Sequence, residues 1–216
     1  MQGEPGSGAD DSNWKSGPMP MPRLILCRHA ETISNRDGWL AGQWNVPLTD
    51  TGLARVHLLA EALAAAGANR LNAVLCSDLA RAVCTANPVA QRLGLPLFED
   101  KRLRERDYGE WTGMDREILQ ARHPREWNYR HSDPDFAPPG GESLLQHRMR
   151  VVEAVRDHLA RHPAGLIVVS HWGTVWCLLQ ELRNSSGEES LRPKSPPEFI
   201  ELMGDLKQPA SSHGSQ

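Results

Sequence analysis

The sequence predicts an α/β fold: a three-layer sandwich with a mostly parallel central sheet and helices on both faces. Three observations carry the prediction. Short apolar runs bounded by polar residues, Leu24-Ile25-Leu26-Cys27, Ala73-Val74-Leu75-Cys76 and Leu166-Ile167-Val168-Val169, read as buried strands. Segments with helical spacing separate these runs, and strands that alternate with helices build a parallel sheet covered on both sides. Each run is followed at once by polar or charged residues, and in an open parallel sheet ligands bind beyond the carboxyl ends of the strands.

The elements follow in order. Residues 1–22 are rich in Gly, Pro, Ser and Asp without periodicity, and read as a disordered leader. A strand at 23–27 leads into a polar loop, Glu31 to Pro47, that contains Trp39, Gln43 and Trp44. Thr49 or Asp50 caps a helix over about 53–66, with Leu53, Val56, Ala60 and Leu63 as its apolar face and Gly67 as its stop. A strand at 73–76 is followed by a helix over about 79–93, and Pro96 to Phe98 suits a short edge strand. Residues 99–142 read as irregular, with one short helix near 115–122. Ser143 and Gln146 form a capping box that opens a helix to about Arg161, with Leu145, Met149, Val152, Val155 and Leu159 on one face. The strand 166–169 and a helix over about 173–182 close the predicted domain, 23–182. Residues 183–216 are an atypical, partly disordered segment, in which Phe199-Ile200-Glu201-Leu202 reads as one more strand or as a sticky tail.

The bulk numbers narrow the function classes. The chain has 216 residues, a net charge of −3 and a pI near 6.3, which gives no support for a nucleic-acid or anionic-membrane partner. The apolar runs are too short to span a bilayer, and the N-terminus lacks the pattern of a signal peptide. Cys27, Cys76, Cys84 and Cys177 have no close paired spacing, as expected of reduced thiols in the cytoplasm. A homodimer is a possible assembly.

The strand ends bring one chemistry together. Arg28 and His29 follow the first strand, Ser77 to Arg81 follow the second, and His171 follows the third, just before a helix start at Gly173. Two imidazoles beside the guanidiniums of Arg28 and Arg81 suit a phosphate dianion, because the guanidinium fork matches phosphate oxygens and a helix N-terminus binds anions. A neutral imidazole can attack phosphorus and carry the phosphoryl group, and adjacent arginines help keep it neutral. A carboxyl group is needed to protonate the departing oxygen. The run Arg104-Glu105-Arg106-Asp107-Tyr108-Gly109-Glu110 offers Glu105, Asp107 and Glu110, and physics alone does not choose among them.

These residues carry a resemblance. Leu26-Cys27-Arg28-His29-Ala30-Glu31-Thr32 with Asn35, then Gly42-Gln43 and Pro47-Leu48-Thr49, then Ser77-Asp78-Leu79-Ala80-Arg81-Ala82 follow an ordered pattern. Leu103-Arg104-Glu105 with Tyr108-Gly109-Glu110-Trp111, Gly140-Gly141-Glu142-Ser143 and Val168-Val169-Ser170-His171 complete it. Over about 23–182 the chain resembles the histidine phosphatase, or phosphoglycerate mutase-like, superfamily, and within it the broad-specificity and α-ribazole phosphatase branch.

The resemblance implies a metal-independent phosphomonoesterase acting on small phosphorylated metabolites, with no cofactor. His29 would be the phosphorylated nucleophile, and Glu105 the acid for the leaving group and later the base for water. Arg28, Arg81 and a protonated His171 would bind the phosphoryl group, and Asn35, Gln43 and the backbone of Trp172 would contact it or its surroundings. No metal site is expected, since the rival reading of the same residues as a His/His/Glu zinc site would set a cation beside two arginines. A phosphoglycerate mutase and a weakly active phospho-ligand binding protein are the alternatives. The 34 residues between Glu105 and Gly140 are a short insert compared with that of the mutases. Ala30 stands where the family usually has glycine, Trp172 where a small residue is common, and nothing after Leu182 matches the usual final strand motif.

Overall fold

The computed structural model describes residues 23–186 and 199–203. The proposed leader at 1–22 and most of the segment after Ser186 lie outside the described residues. In chain order the elements are β1 (Arg23–Arg28), α1 (Ile33–Arg36), α2 (Asp50–Ala65), β2 (Ala73–Cys76), α3 (Ala80–Leu93) and β3 (Leu97–Glu99), then α4 (Arg116–Arg122), α5 (Pro124–Tyr129), α6 (Leu144–Arg161), β4 (Gly165–Ser170), α7 (Trp172–Ser186) and β5 (Phe199–Met203).

The sheet runs β3-β2-β4-β1-β5. The first four strands are parallel, and β5 lies antiparallel on β1. Of the two readings open for Phe199 to Leu202, the strand is the one found. It covers the β1 edge, whose backbone groups would otherwise be open to pairing with another chain.

Alternation along each strand divides the core in two. Leu24, Leu26, Ala73, Leu75, Leu166 and Val168 pack with Val151, Val155, Leu178 and Leu179 of α6 and α7. Ile25, Cys27, Val74, Cys76, Ile167 and Val169 pack with Leu59, Leu63, Ala86 and Val89 of α2 and α3. Strands buried on both faces read as continuous apolar runs, which is why they stand out in the sequence. A third cluster, Tyr108, Trp111, Leu119 and Trp127, holds the segment between β3 and α6 together.

Thr49, one of the two expected caps, is the N-cap of α2, which begins at Asp50, ahead of the expected start near 53. Thr49 accepts the Gly52 N–H ahead of α2, and Ser143 with Gln146 makes the expected reciprocal box ahead of α6. Two apolar faces differ from prediction. Leu53 is exposed on α2, and Leu59 takes its place inside. On α6, Leu145 and Met149 are exposed at 37% and 63%, while His147 and Val151 point inward. Spacing alone cannot separate two stripes offset by two residues when the deciding residue is a histidine, which counts as polar. Residues 99–142 hold a second short helix, α5, that was expected to be irregular; Pro124 at its first position fixes a helical φ where no N–H is needed. Among the described residues, no helix is long and apolar enough to cross a membrane.

Candidate active site

Strand register places the two histidines side by side. Arg28 of β1 pairs with Ser170 of β4, and the His29 N–H donates to the Ser170 carbonyl at 2.7 Å. His29 and His171 therefore leave adjacent strand ends together, with ring centroids 5.2 Å apart. Both are buried, as is Arg81, which reaches them from the first turn of α3.

Hydrogen bonds set the proton on each ring. His29 Nδ1 lies 2.7 Å from the Ala30 carbonyl, which can only accept, so Nδ1 carries the proton and Nε2 keeps its lone pair. His171 shows the opposite tautomer. Arg81 Nε donates to His171 Nδ1 at 3.2 Å, so a neutral His171 carries its proton on Nε2. That Nε2 and Arg28 Nε are buried without a hydrogen-bond partner among the described residues. Two buried donors left unpaired beside the bare Nε2 of His29 suit an anion.

The electrostatics keep both rings neutral. Burial, then the charges of Arg28 and Arg81, hold the His29 pKa well below its usual 6.5. Burial and Arg81 do the same for His171. The expectation of a protonated His171 is thus corrected for the site as it stands: it is a neutral donor through Nε2. Arg81 is lowered to about 10 by burial and stays charged at neutral pH. Its other bonds, to the carbonyls of Trp44 at 2.7 Å and Gly42 at 2.8 Å, fix its plane.

These groups face a cavity of about 240 Å³ lined by Arg28, His29, Asn35, Arg81, Glu105, Trp172 and Gly173, among others. Glu105 comes from the loop after β3. Its Oε1 accepts the Arg106 N–H at 2.9 Å, and its Oε2 accepts the Gly173 N–H at 3.2 Å. The other two carboxylates of that run turn elsewhere. Asp107 accepts the Gly109 N–H at 2.9 Å, and Glu110 is exposed and lies outside the cavity lining. Thr32 caps α1 in a reciprocal box with Asn35, whose Oδ1 accepts the Thr32 N–H at 3.1 Å, and Asn35 also lines the cavity. Gln43 is not in the lining; its amide donates to the Glu105 carbonyl at 3.2 Å.

Sequence reasoning missed several lining residues. Tyr108, Arg116, Trp127, Arg130 and His131 also border the cavity. Arg130 stacks on the Trp127 ring at 3.6 Å. The available signal was a cluster of aromatic and basic residues inside the 34-residue insert between Glu105 and Gly140. Gly173 was read as the start of a helix whose N-terminus binds an anion, and its contact with the acid was not foreseen. A Cβ there would lie 2.3 Å from Glu105 Oε1, so glycine is what lets the acid sit against α7.

Among the described residues, no group of three or more His, Cys, Asp and Glu side chains could hold a metal ion. The cavity instead gathers four arginines against one glutamate, which suits binding of an anion.

Known proteins are similar to this chain in sequence and fold. The profile of the histidine phosphatase superfamily (branch 1) matches residues 24–197. A glucosyl-3-phosphoglycerate phosphatase of Mycolicibacterium vanbaalenii is 31% identical over 172 residues, 76% of this chain and 75% of that protein. A 2,3-bisphosphoglycerate-dependent phosphoglycerate mutase of Rhizobium etli is 29% identical over 200 residues, 86% of this chain and 93% of that protein. The solved structure of a mycobacterial glucosyl-3-phosphoglycerate phosphatase complexed with VO3 superposes with a TM-score of 0.68 at 29% identity, covering 75% of this chain and 82% of that one. With paired buried histidines, Arg28, the buried Arg81 and a glutamate near the parallel strand ends, the chain belongs to the histidine phosphatase superfamily.

Proposed function

We propose that this chain is a metal-independent phosphomonoesterase that hydrolyses small phosphorylated metabolites through a phosphohistidine on His29. The observation that carries the reading is the His29 tautomer: the Nδ1 proton is committed to the Ala30 carbonyl, so Nε2 is the nucleophile. Arg28, Arg81 and the Nε2–H of His171 bind the phosphoryl oxygens. The Nε2 lone pair attacks phosphorus as the ester P–O bond breaks, and Glu105 gives its proton to the leaving alkoxide. Water then attacks the phosphohistidine, Glu105 takes the water's proton, and the P–N bond breaks to release inorganic phosphate and restore His29.

The rest of the cavity favours a substrate with a second negative group. Arg116, Arg130 and His131 border it beyond the phosphate-binding arginines. Both relatives act, by their names, on phosphoglycerates, which carry a carboxylate beside the phosphate ester. A mutase is the second reading, because the mutase relative is matched over 93% of its length and insert length therefore does not separate the two.

Trapping with labelled substrate tests the mechanism. The parent enzyme is expected to give an acid-labile, base-stable adduct and His29→Ala none. Equal labelling of both rejects His29 as the nucleophile. Feeding 3-phosphoglycerate separates the readings: release of inorganic phosphate supports hydrolysis, and isomerisation without release supports the mutase.

A further inference from the structure

We infer that Arg150, oriented by Glu142, is a positioning residue for the Glu105 acid–base group. The inference rests on the proposed role of Glu105. Arg150 lies on α6 and is not among the residues lining the cavity. It acts instead on the loop that carries the acid. Its Nη1 donates to the carbonyls of Arg102 at 2.6 Å and Arg104 at 2.8 Å, and its Nη2 donates to the carbonyl of Glu105 itself at 3.0 Å.

Arg104 and Glu105 lie outside any helix or strand, so their carbonyls have no ladder to satisfy them, and the Arg102 carbonyl sits in a single 3-10 turn just before. One planar side chain supplies three carbonyls at once, which a lysine with its three donors at one point cannot reproduce. Glu142 completes the clamp from both sides. Its Oε2 accepts Arg150 Nε at 3.0 Å, its Oε1 also pairs with Arg150 Nη2, and the same Oε1 accepts the Asp107 N–H at 2.8 Å. The loop is thus held at the Glu105 carbonyl by Arg150 and two residues later by Glu142. Both side chains are largely buried, at 21% and 17% exposure, so the pair is not a solvated rim contact of negligible worth.

A residue that only stabilises the fold would slow all substrates alike. A residue that aims the acid slows only those substrates that need it. Glycerol phosphate leaves as an alkoxide and needs a proton; p-nitrophenyl phosphate leaves as a stable phenolate and does not. Arg150→Met is expected to lower kcat/KM for glycerol phosphate by roughly 30-fold or more, since a misplaced catalytic group costs about that much, and to change p-nitrophenyl phosphate by less than about 3-fold. Inhibition by inorganic phosphate should stay within about 2-fold of the parent, as the phosphate pocket is intact.

In a Glu105→Gln background the same change should cost glycerol phosphate less than about 3-fold, because residues that act as one unit are not additive. Arg150→Lys and Glu142→Gln provide the same comparison should Arg150→Met not fold. Equal losses on both substrates, or an undiminished loss in the Glu105→Gln background, overturn the inference while leaving Glu105 as the acid. If Glu105→Gln itself fails to discriminate between the substrates, the role of Glu105 falls, and this inference with it.

Discussion

Gly173→Ala tests how closely the acid is seated against α7. The Gly173 N–H donates to Glu105 Oε2 at 3.2 Å, and a Cβ on residue 173 would lie 2.3 Å from Oε1 and 3.2 Å from Cδ. The new methyl has little room to shift, because His147 Cε1 would also lie only 3.3 Å from it and His147 is fully buried. Non-bonded heavy atoms rest at about 3.5 Å, so the carboxylate must withdraw by roughly 1 Å. That movement breaks the 2.9 Å bond from the Arg106 N–H and takes the proton away from the leaving oxygen. A 1 Å misplacement costs on the order of 100-fold, and the loss should appear in kcat/KM for glycerol phosphate. With p-nitrophenyl phosphate the loss should stay below about 5-fold, because that leaving group needs little protonation. The fold should survive, since alanine is favoured over glycine in a helix by up to about 1 kcal/mol. Glycerol phosphate turnover within a factor of about 3 of the parent would refute the argument that this close approach fixes the acid.

Two more outcomes are expected. Activity on p-nitrophenyl phosphate should be unchanged by excess EDTA, because guanidiniums supply the charge that other phosphatases take from a metal; loss with EDTA and recovery with zinc or magnesium would contradict this. Stability should fall on acidification below about pH 6.5, because His29, His147 and His171 are all held well below their usual pKa by burial. Their depressed pKa means that the unfolded chain takes up protons there and the native state does not, at a cost of up to ~1.4 kcal/mol per pH unit for each, or about 4 for the three. Urea midpoints measured between pH 7.5 and 5 check this, and a flat profile would exclude it.

The sheet was legible because its strands are buried on both faces, and unbroken apolar runs leave little ambiguity about where they end. The placement of Arg28, His29 and His171, the groups proposed to react, was legible for the same reason: the strand ends deliver them. The acid was harder. Glu105 sits in a run of alternating charge that reads as solvated surface, yet Arg106 turns inward and bonds the carbonyls of Glu142, Arg130 and Phe136. No local pattern tells an inward arginine from an exposed one, because its partners are carbonyls up to 36 residues away. The inward His147 was hidden likewise. It is satisfied by Thr174 at 3.1 Å and Cys177 at 3.8 Å on α7, a helix that follows it by more than twenty residues. The rim of the cavity was least legible, since Arg116, Arg130 and His131 are brought to it by the packing of Tyr108, Trp111, Leu119 and Trp127 rather than by any strand.

The two histidines need opposite protons, and the fold supplies them with one strand pair and one arginine. Beyond the Arg28–Ser170 register both rings emerge at the same height, so each needs its own neighbour to decide which nitrogen is bare. The Ala30 carbonyl takes the Nδ1 proton of His29 and leaves Nε2 free to attack. Arg81 Nε occupies Nδ1 of His171 and leaves Nε2–H free to donate. Arg81 therefore does more than supply charge: it selects the tautomer of the second ring, and a lysine with the same charge would lack the planar Nε–H to do so. Thr85 ties this arrangement to the nucleophile, accepting the Ala30 N–H at 3.0 Å while donating to the Arg81 carbonyl at 2.7 Å. The first turns of α3 thus hold both Arg81 and the Ala30 backbone beside His29, so the proposed nucleophile and the proposed phosphoryl-binding donor are held by one rigid element.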